Sequence, residues 1–312
     1  MTSTTLDTMR IGTRRSALAL SQANAVADVL RSAGHLVELV EVVTDGDRSS
    51  GALADIGGTG VFVTELRHRL LAGDVDVAVH SYKDLPTGTA DGITLAAVPP
   101  RADPRDALVS RDGAALAELA LGARVGTGSP RRTAQLRALG YGLEVEPIRG
   151  NVDTRLRKVA DGEIDAVVVA AAGLQRLGRL AEASEVIDPG QMLPAPAQGA
   201  LAVECRDGDA GLAETLGQAL DEPHTRAVVA AERAVLTALE AGCSAPIGAL
   251  ADVSLGDDGD EIYLRAVAAS LDGGRTVRLS ITGPLADANA LGTQLAADLL
   301  DAGAADLIGT NP

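Results

Sequence analysis

TELRHRLLAGDVDVAV (residues 64–79) is written a second time, with changes, as TRLRKVADGEIDAVVV (154–169). Both stretches open T-x-L-R, continue at helical spacing, stop at a glycine (Gly73, Gly162), and pass through an acidic-apolar-Asp triplet into an apolar run. A glycine just past a helix supplies the left-handed residue that closes it. The runs VDVAV and IDAVVV are short, apolar and rich in β-branched residues, the composition of strands covered on both faces. The repeat distance of 90 residues is too long for a solenoid unit and fits two similar α/β domains.

Working outward, RIGT (10–13), LVELVEVV (36–43), ITLAAV (93–98), ALVS (107–110), ARVGT (123–127) and LEVEPI (143–148) read as further strands. Helices alternate with them, which predicts mainly parallel sheets. PPRADPRD (99–106) and DPGQMLPAPAQGA (188–200) are proline-rich and read as crossovers between the domains. LAVECR (201–206) is another strand, followed by a helix, TRAVVAAERAVLTALEAG (225–242). From Ile247 apolar and polar residues alternate, and the turn signals DDGD and DGG cut the stretch into three antiparallel strands. A last helix covers about 286–302. The predicted class is α/β, with two similar α/β domains and a small α+β C-terminal domain.

Composition narrows the function. The 312 residues carry 43 acidic and 27 basic side chains, a net charge of −16, and the only lysines are Lys83 and Lys158. A Lys-poor acidic surface repels itself in dilute buffer and is screened in strong salt, which suggests a salt-loving, GC-rich source. Ordinary acidic drift is the plainer alternative. The same charge argues against nucleic-acid binding, so any anion site must be a local basic pocket. There is no signal-peptide core and no run of 18 apolar residues, so a cytoplasmic protein without a membrane partner is expected. The two cysteines, Cys205 and Cys243, make neither a disulfide framework nor a zinc-type set, and no metal is expected. Nothing demands an oligomer, so a monomer is expected.

Three helix starts carry arginines where a helix dipole favours anions. Arg14 and Arg15 precede one; Arg131 and Arg132 fall in the first turn of another, behind Ser129 as N-cap and Pro130; Arg149 and Arg155 flank the start of a third. Repeated three times, the placement suggests that arginines and free N–H groups share anionic ligands. The alternative is surface arginines paired with nearby acids. No phosphate-loop pattern is present, which favours carboxylates.

In VAVHSYKDLPTG (77–88) an apolar strand runs into His80, Ser81, Lys83 and Asp84. Ligands of open α/β sheets bind beyond the carboxyl ends of strands. A neighbouring ammonium favours an ionised Asp84, which could bind a pyrrole-type N–H and stabilise a cation forming beside it. A surface ion pair in a turn is the bland alternative. Cys243 lies in LEAGCSAPIG (239–248), a turn past a helix, whereas Cys205 reads as a packed strand residue.

Ten ordered stretches resemble the porphobilinogen deaminase (hydroxymethylbilane synthase) family: RIGTRRSALALSQA, VTDGD, GGTGVFVTEL, AVHSYKDLP, DPRDALVS, GTGSPRRTAQL, IRGNVDTRLRK, AAAGLQRLG, PAPAQGALAVECR and GCSAPIGA. HS-x-KD-hydrophobic-P and GC-x-x-P-[IV]-G are the most specific. The resemblance implies a transferase of tetrapyrrole biosynthesis that joins four porphobilinogen molecules head to tail, releases ammonia and yields hydroxymethylbilane. It implies a dipyrromethane cofactor held by a thioether to Cys243, and no metal.

By motif match, Ser129, Arg131 and Arg132, helped by Lys83, would hold cofactor carboxylates. Arg14, Arg149, Arg155 and Arg176 would handle the incoming ring and the growing chain, with Ser16, Gln22 and Gln198 on matching positions. Asp84 would bind pyrrole N–H groups and stabilise the cation left when ammonia departs. Phe62 would stack on a pyrrole, and the glycine-rich stretch before it resembles the family's mobile loop. Thr59 stands where many members have Lys, which puts that loop's basic contribution in doubt; Tyr82 and Gly128 are also minority choices.

The resemblance also implies periplasmic-binding-protein-like domains with a double crossover: domain one at 1–101 and 198–220, domain two at 102–197, domain three at 221–312. The competing reading is a non-catalytic two-domain carboxylate-binding protein, which leaves Cys243 and the HSYKDLP turn without a role.

Overall fold

The computed structural model describes residues 8–42, 58–242, 245–256 and 259–308, the side chains of 58–62 excepted. It falls into two compact units, Met1–Arg101 with Ala200–Arg226, and Ala102–Gly199 with Ala227–Pro312. The chain leaves the first unit within one proline-rich stretch and re-enters it at the end of the other. In chain order the strands are β1 (Met9–Thr13), β2 (Val37–Glu41), β3 (Val77–Ser81), β4 (Ile93–Ala97), β5 (Asp106–Ser110), β6 (Arg124–Thr127), β7 (Glu144–Pro147), β8 (Ala166–Ala170), β9 (Glu185–Val186), β10 (Leu201–Arg206), β11 (Ile247–Gly256), β12 (Gly259–Ala269) and β13 (Thr276–Pro284).

The two large sheets have one topology. The first unit orders its strands β2-β1-β3-β10-β4 and the second β7-β6-β8-β5-β9. β1 lies parallel to β2 and β3, as β6 lies parallel to β7 and β8. β10 and β5 each run antiparallel to both of their neighbours. The sheets are therefore mixed rather than mainly parallel. The reversed strand in each is the one that follows a crossover, so it enters its sheet from the opposite end without a returning helix.

The repeated sequence is the same piece in both units, a helix feeding the third parallel strand. Gly73 and Gly162 close those helices at φ 78° and 75°. The aspartates of GDVD and GEID sit just ahead of the strands, and each staples three segments. Asp76 accepts from Arg10 N at 3.0 Å and from the Arg206 guanidinium at 3.1 Å. Asp165 accepts from Arg124 N at 2.8 Å and from the Arg111 guanidinium at 3.1 Å. Arg10 and Arg124 each donate a further bond to the helix-closing glycine carbonyl, Gly73 O or Gly162 O. The strand interiors are apolar: Val77, Val79 and Val203 pack under Ala23, Val26 and Leu30 of the helix Ala17–Ser32. Each fully buried side chain of this size contributes about 1.5–3 kcal/mol.

The C-terminal sheet is antiparallel in the order β11-β12-β13, as expected from its alternating pattern. The helix Ala288–Asp301 covers it with Leu291, Leu295 and Leu299. Within the second unit Ala249 N donates to Pro194 O at 3.0 Å, and Leu193 packs with Leu250 and Val267. The helix expected over 225–242 runs Pro223–Ala238. The helix Ala210–Leu220 and the two-residue β9 carry patterns too short or too even to stand out in the sequence. From Gly58 the glycine-rich stretch is not a loop: Gly58–Leu71 is helical. Among the described residues no helix is long and apolar enough to cross a membrane.

Candidate active site

In the first unit the site grows from the carboxyl ends of β1 and β3, where the sheet's peptide groups run out. After Thr13 the chain turns through Arg14 and Arg15 into the helix Ala17–Ser32. Ser16 is its N-cap, accepting from Ala19 N at 3.2 Å. The two arginines separate. Arg15 is exposed and pairs with Glu41 at 2.9 Å, as the surface-pair alternative predicts. Arg14 lines a pocket with Ser16, Gln22, His80, Ser81 and Asp84, floored by Val63, Leu66 and Val79. Gln22 is buried and donates its Nε2 to Ser81 Oγ at 2.7 Å, which locks the first helix to the end of β3.

Asp84 closes the short 3-10 turn Tyr82–Asp84 that follows β3. Burial of its carboxylate pushes its pKa above the ordinary value, while Lys83, Arg14 and His80 pull it back towards the ionised form. A half-buried carboxylate that lines a pocket and is flanked by cations is suited to accept an N–H and to face a developing positive charge. Behind it His80 Nε2 lies 3.2 Å from Glu204, which also takes two bonds from Arg67 at 2.6 and 2.9 Å. Burial opposes ionisation of Glu204, but the two bonds from Arg67 and the close imidazole of His80 outweigh it and hold its pKa at about 2.

In the second unit the equivalent place is the start of the helix Pro130–Ala138, after β6. Ser129 is the N-cap and accepts from Arg132 N at 3.4 Å. Arg131 and Arg132 are 3% and 5% exposed, so they are not surface arginines. They do share a carboxylate at the helix start, and it is the protein's own. Asp106, fully buried at the head of β5, accepts from Arg131 Nη1 at 2.8 Å and from Arg132 Nη2 at 2.8 Å. Gln198 Nε2 donates to Asp106 at 2.8 Å, and Arg132 also donates to Val168 O at 2.9 Å.

Arg155 and Arg176 complete this cluster. Arg155 donates Nε to Gly150 O at 2.9 Å, just before the N-cap Asn151 of its helix. Its pKa is lowered first by burial and then by the like charge of Arg132. Arg176 donates to Gly199 O at 2.7 Å and is lowered by burial. Arg149 is exposed just ahead of the same helix. Among the described residues Asp106 thus serves the two buried guanidiniums of Arg131 and Arg132, Arg155 stands near enough to feel the charge of Arg132, and the Nε of Arg131 is buried without a partner. That excess of desolvated positive charge fits a ligand bearing several carboxylates. Phe62, Thr59 and Cys243 are not among the parts described: the first two lack described side chains, and Cys243 lies outside the described residues.

Two family matches bear on these clusters. "Porphobilinogen deaminase, dipyromethane cofactor binding domain" covers residues 9–214, and "Porphobilinogen deaminase, C-terminal domain" covers 227–301. The chain belongs to the porphobilinogen deaminase family. A porphobilinogen deaminase of Mycobacterium tuberculosis is 56% identical over 305 residues, covering 96% of this chain and 98% of that one. One of Nocardia farcinica is 57% identical, covering 96% and 88%. Among solved structures the methionine-binding protein MetQ overlaps 68% of this chain and 89% of its own, with 15% identity and a TM-score of 0.41. An overlap so partial says nothing about the ligand. These matches lend the expected salt-loving source no support.

Asp106, Glu204 and Arg67 were missed by sequence reasoning. The signal was present: Asp106 is the single charge in β5 and Glu204 the one buried charge in β10, and a buried strand keeps a charge only with partners.

Proposed function

We propose that this chain is a transferase that condenses four porphobilinogen molecules head to tail, with release of ammonia, to hydroxymethylbilane. Its family membership supports this, and the observation that carries it is Asp84, a half-buried carboxylate that lines a pocket beside Arg14 and His80 at the end of β3, next to Lys83. The dipyrromethane, when bound, supplies the tethered ring whose free α-carbon is extended. Ser129, Arg131, Arg132 and Lys83 hold its carboxylates, and Cys243 carries it through a thioether. The carboxylate-binding reading without catalysis gives the dipyrromethane-binding family match no role.

The substrate brings an acetate and a propionate. Arg14, Arg149, Arg155 and Arg176 bind them, with Ser16, Gln22 and Gln198 fixing the positions of neighbouring groups. Planar guanidiniums grip carboxylates bidentately, and they do so more strongly where water is excluded. Asp84, ionised, accepts the pyrrole N–H. As the C–N bond to the leaving ammonia breaks, its electron pair leaves with nitrogen and the pyrrole becomes cationic. Asp84 is already in place to stabilise that charge, so no reorganisation is needed at the moment of reaction. Phe62 stacks on a pyrrole face. Three domains, at 1–101 with 198–220, 102–197 and 221–312, a cytoplasmic location and a monomeric state complete the proposal.

The intact mass of the purified protein tests it. The expected value exceeds the sequence mass by about 420 Da, two joined rings on a thiol. A folded chain at its bare sequence mass that does not consume porphobilinogen would overturn the assignment.

A further inference from the structure

We infer that Glu232 is a positioning residue for the arginine cluster of the second unit, acting through the bend at Ala197–Gly199; the inference rests on the function proposed above. Glu232 lies in the helix Pro223–Ala238 and is fully buried. A carboxylate in such a place is retained only if its oxygens are satisfied. Both are used on backbone. Oε2 accepts from Ala197 N at 2.6 Å and Oε1 from Ala251 N at 2.9 Å.

Ala197 is a strained partner. Its φ of 63° lies in the left-handed region that a Cβ disfavours. Two residues on, Gly199 has φ 89°, and a Cβ there would stand 2.4 Å from Ala102 O. The backbone is bent tightly over three residues and is held at one end by Glu232.

The bend aims the residues that orient the arginines. Gln198 donates to Asp106 and to Pro104 O, both at 2.8 Å, and Asp106 in turn holds Arg131 and Arg132. Gly199 O accepts from Arg176 at 2.7 Å. If Ala197 relaxed to an ordinary φ, Gln198 and the Gly199 carbonyl would both turn away. The other oxygen of Glu232 reaches β11, the strand that begins four residues after Cys243. One carboxylate thus ties the arginine cluster to the strand that follows the attachment cysteine.

The test compares Glu232→Gln, Ala197→Gly and the double variant in the full chain. Adduct-free protein is incubated with porphobilinogen and cofactor loading is followed by intact mass; KM and kcat are measured on the loaded fraction. An amide at 232 can accept only one of the two N–H groups. Glu232→Gln is expected to slow loading about tenfold and raise KM about tenfold, the scale of losing a bond to a charged acceptor, with kcat little changed.

Ala197→Gly removes the strain that Glu232 opposes. The double variant is therefore expected to recover to within about threefold of wild type. A purely structural Glu232 would lower the unfolding midpoint and leave loading rate and KM alone, without rescue by glycine; that result overturns the inference. If Glu232→Gln does not fold, Glu232→Asp replaces it: slowed loading that Ala197→Gly rescues supports the relay, and wild-type loading overturns it. A wild-type chain that neither loads nor consumes porphobilinogen overturns the function itself. A wild type that loads, beside a Glu232→Gln chain that loads equally fast, overturns this inference alone.

Discussion

Asp106 Oδ1 accepts two N–H groups of Arg132, Nη2 at 2.8 Å and Nε at 3.1 Å, with both side chains out of water. The bond explains how arginines can stand in the first turn of a helix, where the dipole opposes them. A buried internal carboxylate supplies the counter-charge and sets the direction of the guanidinium before any ligand arrives.

Removing that carboxylate should be costly. Asp106→Asn leaves two buried guanidiniums facing a neutral amide, and about 3–5 kcal/mol of unfolding free energy should be lost. Urea unfolding measures it; a loss below about 1 kcal/mol would show that the arginines find other partners.

The same groups should govern acid stability. Burial alone would raise the Asp106 carboxyl, but Arg131 and Arg132 outweigh it and hold the group far below the ordinary range; Glu204 is held at about 2 in the same way. For a depressed carboxyl the folded state binds fewer protons than the unfolded one. The stabilisation is complete above the unfolded value near 4 and drains away as pH falls towards 2. Glu204→Gln should therefore flatten the fall in unfolding midpoint between pH 4 and pH 2. An unchanged slope would refute the coupling.

Asp84 has the opposite sign. Its pKa is raised by burial, so the folded state holds the proton more tightly and stability declines as pH rises through the interval above the unfolded value. Asp84→Asn should be at least as stable as wild type at pH 7 yet slower by about three orders of magnitude or more. Near-normal turnover would remove Asp84 from its role, and a clear loss of stability would contradict the desolvation argument. The acid limb of the wild-type rate profile should also lie above the ordinary carboxylate range.

If Arg131 holds a dipyrromethane carboxylate, as proposed above, Arg131→Leu should leave Cys243 unmodified. A thiol reagent under denaturing conditions should then count two cysteines, against one in the loaded wild type. A count of one in the variant would show that loading does not need Arg131.

The net charge of −16 makes a further prediction independent of the site. If the acidic surface is self-repelling, the thermal midpoint should rise between dilute buffer and molar KCl. A flat response would assign the charge to drift.

Much of the fold was legible because it rests on local periodicity. Val77–Ser81 and Ala166–Ala170 announce themselves as β-branched runs behind a glycine stop, and the repeat reports two alike units. The direction of β5 and β10 was not legible, since a strand's own residues do not record which end of the sheet the crossover delivers it to. Arg14 and Arg15 look alike in sequence; only the fold sends one into a pocket and the other to Glu41.

The sequence by itself determined most of the strands, the three arginine-bearing helix starts, the family and the residues able to bind carboxylates, because each is written in side-chain chemistry and short-range spacing. Tertiary structure alone decided that Asp106, 25 and 26 residues before Arg131 and Arg132, holds both. It alone set Glu232 against Ala197, 35 residues away. Burial makes such long-range charge pairing obligatory, yet it follows from how the chain closes on itself and leaves no periodic trace along it.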